Sequence, residues 1–358
     1  MMQWFQLGNE ARDVAPRRLH WLAIVLLAVS PALLAEVAPG VGIAAIEVKD
    51  PVGGNAMPGF VFYPSTRASE GVTRIGPYEV DAAFDAPAQD EPRPLVVISH
   101  GHGGSNLGHH DMAAYLARHG FIVATIEHPK DNFHDMSGDG TAEVMFGRPA
   151  QVSATIDALL AHRRWKPMID AERIGVAGFS AGGYTSLLVV GATPRFDRFI
   201  GYCERHPDDA EICGTVKRLG PEGTRAALDA LQNSATRWGE ASDPRVKSAF
   251  AMAPQSIPFD AAGMAAIKQP VFLYYGEQDR VLLPDENAVR IAPLLRTLAG
   301  IEKVPKADHW VFLAPCSSEL ARNPGEICRD PEGVDRAAVH GRVNADALAF
   351  FRKTLGGG

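Results

Sequence analysis

The chain has 358 residues, 46% of them hydrophobic and 22% charged, with a formal net charge of −7. That length and balance specify one large α/β domain or two small ones and exclude a disordered or fibrous chain. The acidic balance, with no basic run beyond scattered Arg pairs, argues against nucleic acid as the main partner, which would demand a phosphate-neutralising patch.

In chain order, Arg17-Arg18 precede an apolar stretch from Leu19 to Leu34 that ends in small residues around Ala35. This is the layout of a signal peptide at 1–35, with cleavage near Ala35 and the remainder, 36–358, as the mature domain. His20, Ser30 and Pro31 interrupt the run, which makes it short for a bilayer span, so an uncleaved anchor is the alternative reading. Leu19-His20-Trp21 after the arginines matches a Tat motif poorly, and Sec export is expected instead. The destination would be the periplasm or the extracellular space, with no stable membrane span after processing.

Ile43 to Val48 and Gly59 to Tyr63 read as early antiparallel strands, and Leu95 to Ser99 as a buried strand entering the loop His100-Gly101-His102-Gly103-Gly104. A helix over His110 to His119 and a strand over Phe121 to Ile126 follow. Pro149 suits the first turn of a helix reaching about Arg164, with Val152, Ile156, Leu159 and Leu160 on one face. Next comes the apolar strand Arg173 to Gly178, then a helical stretch through Tyr184, Leu187 and Leu188. The segment Arg195 to Asp243 breaks the rhythm, with a weak helical stretch around Thr224 to Leu231, and reads as a cap-like insertion or a surface excursion. Strands over Val246 to Met252, Val271 to Tyr275 and Ile301 to Val304, and helices over Pro284 to Leu298 and Val334 to Leu355, complete the pattern. Alternation of this kind predicts an α/β fold, a mostly parallel central sheet with helices on both faces.

Four cysteines fall into two local pairs, Cys203 with Cys213 and Cys316 with Cys328. An even count in an exported chain points to disulfides, and local pairing is the simplest of the three connectivities. No Cys-x-x-Cys spacing supports zinc.

Gly178-Phe179-Ser180-Ala181-Gly182 sits where the apolar strand must turn into a helix, the arrangement of a nucleophile elbow, although the same five residues fit an ordinary turn. A serine hydroxyl is a weak nucleophile at neutral pH and needs a general base and oxyanion donors. His309, in a loop after the last strand, is the expected base. Asp279, after the strand Val271 to Tyr275, is the expected orienting acid, giving the chain order Ser, acid, His. Glu277, Asp285 and Asp308 are its rivals: Glu277 is expected to bond the loop, Asp285 to cap a helix, and Asp308 to sit too close to its neighbour. The backbone N–H groups of His102 and Ala181 are the expected oxyanion donors, with His100 ordering the loop. His206 and His340 read as surface residues. Phe179, Tyr184, Trp310 and Phe312 suit either an acyl pocket or the core. No metal or organic cofactor is implied. Two other readings stay open: a metal-dependent lactonase built from His100, His102, His109, His110 and Asp111, and a non-catalytic binding protein on the same fold.

From Leu95 to the C-terminus the chain resembles the α/β-hydrolase superfamily, specifically the exported bacterial proteins called predicted dienelactone hydrolases, related to platelet-activating-factor acetylhydrolases and polyester hydrolases. The resemblance rests on Val97 to Gly104, Gly175 to Gly183, Tyr275 to Asp279, and Asp308-His309 with Phe312 to Cys316. It implies the α/β-hydrolase fold and a serine hydrolase acting on a small-molecule or lipid-like ester. Dienelactone hydrolases proper use a cysteine nucleophile where Ser180 stands. Related acetylhydrolases also draw the acid from the preceding strand end, here Ala253-Pro254-Gln255-Ser256, which has no carboxylate.

Overall fold

The computed structural model describes residues 39–68 and 71–356, so the expected signal peptide lies outside the described residues. In chain order the strands are β1 (Pro39–Lys49), β2 (Ala56–Ala68), β3 (Thr73–Ile75), β4 (Tyr78–Val80), β5 (Ala83–Phe84), β6 (Arg93–Ser99), β7 (Ile122–Ile126), β8 (Ile169–Phe179), β9 (Val246–Met252), β10 (Val271–Gly276) and β11 (Leu298–Val304). The helices are α1 (His110–Arg118), α2 (Ala142–Ala161), α3 (Ala181–Val189), α4 (Arg198–Arg205), α5 (Ala210–Trp238), α6 (Ala261–Met264), α7 (Ala288–Ile291) and α8 (Arg336–Leu355).

Nine strands form one sheet in the order β11-β10-β9-β8-β6-β7-β2-β1-β5. From β7 through β11 every neighbour pairs in parallel, whereas β2 runs antiparallel to both β1 and β7. Parallel strands joined by crossover helices are covered on both faces, which is why their sequences read as unbroken apolar runs. Along β6, Leu95 and Val97 enter one core layer with Val152 and Ile156 of α2 and Leu187 of α3. Val96 and Ile98 enter the opposite layer with Met112 of α1 and Val343 and Phe351 of α8. In the strand order β6 and β8 lie mid-sheet, with their carboxyl ends side by side.

Three elements depart from expectation. Helix α2 starts at Ala142, capped by the Thr141 side chain, which accepts from the Val144 N–H, and Pro149 lies inside it. Val144 and Phe146 are buried, so packing holds the turns that precede the proline. The helix expected over Pro284 to Leu298 is instead a 3₁₀ turn (Pro284–Glu286), α7 and a second 3₁₀ turn (Ala292–Leu294), and strand β11 already begins at Leu298. Asn287 at φ −123°, ψ −107° interrupts the helix, and Pro293 removes a further donor. In the insertion, the weak helical stretch belongs to the long α5, broken at Gly220 (φ 66°) ahead of Pro221.

Both disulfides pair locally, Cys203 with Cys213 and Cys316 with Cys328, with Cα–Cα distances of 5.6 and 5.9 Å. The first lies in a small satellite core with Tyr202 and Ile257. Such bonds fit an oxidising compartment. Among the described residues, no helix is long and apolar enough to cross a membrane.

Candidate active site

Strand β8 ends at Phe179, α3 begins at Ala181, and Ser180 between them has φ 55° and ψ −116°. A left-handed serine is costly and persists only where its surroundings over-determine it. Here its N–H donates to Met252 O at 2.9 Å, while its carbonyl accepts from Tyr184 N at 3.0 Å and Gln255 N at 3.1 Å. Ala253, at the end of β9 and against the same turn, also has positive φ (40°). The chain packs so closely here that a Cβ on Gly182 would overlap the Ser99 carbonyl. One on Gly101 would stand 2.9 Å from the Phe179 ring and 3.4 Å from Ser180 Cβ, so glycine lets the loop after β6 lie against the elbow.

His309 opens a 3₁₀ turn (His309–Phe312) after β11, and Asp279 follows β10. Both are buried, and His309 Nδ1 lies 2.7 Å from Asp279 Oδ2. The other carboxylate oxygen accepts from the N–H groups of Val281 and Leu282 at 2.9 and 2.8 Å. That fixes the carboxylate, which in turn fixes the ring. The imidazole packs on the Phe179 ring with centroids 4.7 Å apart, placing it beside the residue that precedes Ser180.

The rival acids sit elsewhere. Glu277 accepts from Lys306 N and Lys303 Nζ, closing the loop as expected. Asp308 accepts from Trp310 N, and Asp285 is exposed in the turn after Leu283. Two histidines correct the sequence reading. His340 is buried, with Nδ1 2.6 Å from Asp111 Oδ2 and Nε2 2.9 Å from the Val311 carbonyl. His206 is half-buried and pairs with Glu286 at 2.9 Å. Both gained acidic partners from elements far off in sequence. Phe179, Tyr184 and Phe312 are core residues, while Trp310 is only partly buried.

In the glycine loop, His100 Nε2 accepts from His128 N at 3.0 Å, so Nδ1 carries the proton and donates to Gly101 O at 2.7 Å. Burial pushes its pKa down to about 3, assisted by the neighbouring Arg148, and the ring orders the loop as a neutral group. His102 Nδ1 donates to Asp131 Oδ1 at 2.5 Å, and this bond raises its pKa above the usual imidazole value. Neither the His102 nor the Ala181 N–H has an acceptor among the described residues. The Ala181 group lies in the first turn of α3, where the helix dipole favours negative charge.

Of the five residues of the metal reading, His100, His102 and Asp111 are bonded to different partners, His109 Nε2 and His110 Nδ1 are buried without one, and no group of three or more His, Cys, Asp or Glu among the described residues could hold a metal ion. What the sequence reading passed over is the support: Asp131, Arg148, His128, Gln151, and the Asp111–His340 pair. Arg148 left a trace, since it falls on the apolar stripe of α2 four residues from both Val144 and Val152.

Around the site, residues 195–243 carry α4 and α5, and Arg205 and His206 reach Glu286 at 2.8 and 2.9 Å. A cavity of about 420 Å³ lies there, lined by His206, Asp279, Arg280, Leu283 and Glu286. A second, also about 420 Å³, reaches His309 and Trp310 from the side of Glu326 and Arg329.

The dienelactone hydrolase family profile matches residues 80–216. The chain is 24% identical over 271 residues to acylamino-acid-releasing enzyme 2 of Oryza sativa subsp. japonica, a match covering 73% of this chain and 33% of that protein, so it spans about a third of the relative's length. A solved ferulic acid esterase from Streptomyces cinnamoneus superposes with a TM-score of 0.58 at 19% identity, covering 91% of this chain and 92% of that one. Strand order, elbow and partial family match agree: the chain has the α/β-hydrolase fold and is similar to the dienelactone hydrolase family over residues 80–216.

Proposed function

We propose that the protein hydrolyses carboxylic esters through an acyl-enzyme on Ser180. The observation that carries the reading is the buried His309–Asp279 hydrogen bond of 2.7 Å, packed against the residue that precedes a left-handed serine. Because Nδ1 is committed to Asp279, Nε2 is the nitrogen free to take a proton. In the first half-reaction His309 Nε2 takes the Ser180 proton as Oγ attacks the ester carbonyl. The His102 and Ala181 N–H groups receive the developing oxyanion, and the imidazolium then protonates the departing alcohol. Water repeats the sequence on the acyl-enzyme and releases the acid. Asp279 stabilises the imidazolium without taking its proton.

The insertion at 195–243 serves as a cap beside the Asp279 turn, supported by the paired contacts of Arg205 and His206 with Glu286. A small-molecule or lipid-like ester is the expected substrate. The two disulfides support export to the periplasm or beyond. Ser180→Ala should remove nearly all turnover of p-nitrophenyl esters while leaving the thermal transition in place. Wild-type turnover in that variant would end the assignment.

A further inference from the structure

A cluster of buried charge lies under the glycine loop. Asp131 is fully buried and Arg148 is 2% exposed. Asp131 Oδ1 accepts from His102 Nδ1 at 2.5 Å and from Gly103 N at 3.0 Å. Arg148 Nη1 stands 3.2 Å from Asp131 Oδ2, and Nη2 donates to the His100 carbonyl. One carboxylate and one guanidinium therefore grip residues 100, 102 and 103 of a single loop. That grip extends to the sheet, because His100 Nε2 holds the His128 N–H, while His128 bonds Ser99 Oγ at 2.8 Å and Gln151 Oε1 at 2.6 Å.

This cluster is a poor stabiliser. Arg148 Nε and Nη1 and Asp131 Oδ2 are buried without a hydrogen bond, so the ion pair falls short of bidentate geometry. Burial also pulls the Arg148 pKa down to about 10. Buried pairs of this quality are often replaced by apolar groups of similar volume at no loss of stability. What the cluster does supply is a fixed position for the backbone between His100 and Gly103.

The geometry points to Arg148 and Asp131 as positioning residues that hold the His102 N–H in register for the oxyanion. The inference rests on the Ser180 reading above. Neither side chain touches the reacting atoms; each acts through the loop. A shift of about 1 Å in such a donor costs on the order of 10²-fold in rate.

The test uses Arg148→Met, which keeps the apolar stem on α2, and His102→Ala, which removes the side-chain tether from a partly exposed position but retains the backbone N–H. Kinetics on a p-nitrophenyl ester are read beside affinity for a trifluoromethyl ketone, whose serine adduct carries an oxyanion. End-point labelling by a fluorophosphonate counts competent sites. Arg148→Met should lower kcat by about 10²-fold with little change in KM, because the lost interaction belongs to the transition state alone. Ketone affinity should fall by the same factor at full labelling. His102→Ala should show the same split with a smaller factor, and it carries the test by itself if Arg148→Met does not fold. Wild-type kcat and ketone affinity in the folded variants would overturn the inference, as would losses matched by fewer labelled sites, which would mark a structural role. Should Ser180→Ala retain turnover, the underlying reading fails instead.

Discussion

Replacing Asp279 by Asn exchanges one oxygen for an amide nitrogen at nearly constant volume. The direction of that exchange is set by the far side of the carboxylate, where one oxygen accepts from two backbone N–H groups, those of Val281 and Leu282. An amide must keep its oxygen there, because its NH₂ would face two donors. The NH₂ is thereby turned toward His309 Nδ1, now 2.7 Å from Asp279 Oδ2, and forces that nitrogen to accept. The proton moves to Nε2, the nitrogen that in the proposed mechanism takes one from Ser180. A wrong tautomer in an otherwise intact site costs about 10⁴-fold in kcat. At about 1.4 kcal/mol per tenfold this is roughly 5.5 kcal/mol of lost transition-state stabilisation. The effect on folding is smaller, because both backbone bonds survive and only one charge-assisted bond is lost, about 1.5–3 kcal/mol. Steady-state kinetics on a p-nitrophenyl ester, paired with urea unfolding, separates the two. Asp279→Asn retaining turnover within tenfold of wild type, or Asp285→Asn showing the large loss instead, would refute the reasoning.

Further consequences concern stability. Gly182→Ala forces a methyl into the Ser99 carbonyl, backbone against backbone, and should cost at least about 1–3 kcal/mol in urea unfolding; an unchanged midpoint would contradict the close approach. Opening Cys203–Cys213, ten residues apart, should cost about 3 kcal/mol by loop entropy and raise hydrogen exchange in α4 and α5 before the sheet, whereas uniform exchange would show that the insertion is not a separate unit. His340 faces acceptors through both nitrogens, so the folded state holds an imidazolium: burial opposes the charge, but Asp111, its hydrogen bond and the Val311 carbonyl outweigh burial and raise the pKa above 6.5. A raised imidazole contributes its full stability below 6.5 and loses it as pH climbs through the folded value, while Asp111, partly buried but held low by His340, sets the lower edge near 3.8. The advantage of wild type over His340→Gln, about 3–5 kcal/mol for a broken buried pair, should be largest between those limits and shrink toward alkaline pH; a flat difference would contradict the charged state.

What the sequence disclosed followed from adjacency. Ser180 is flanked by glycines between an apolar strand and a helix, and Asp279 and His309 each lie just past a strand that reads as one. The alternation of apolar strands with helices from β6 to β10 made the parallel sheet legible for the same reason. Long-range pairings were not legible. Nothing local announces that His340 meets Asp111, 229 residues away, so a histidine on a helix face read as a surface group. Arg148 was hidden by Pro149, which drew the helix start to itself and left the preceding turn unread. In the insertion, Gly220 and Pro221 broke the pattern that α5 resumes on either side. Over 284–298 proline had the opposite effect: Pro284 suggested a helix start, and Asn287 and Pro293 stopped the helix from forming.

The central claim is that Ser180 Oγ is the nucleophile, and covalent capture tests it most directly. Wild type and Ser180→Ala would be treated with an alkyl fluorophosphonate and analysed by intact mass and peptide mapping. The account predicts one adduct per chain, on the peptide containing Gly178 to Gly182 and assigned to Ser180, with ester hydrolysis lost in step and no adduct in the variant. An unlabelled wild type that still hydrolyses esters, or a variant labelled to the same extent, would contradict it.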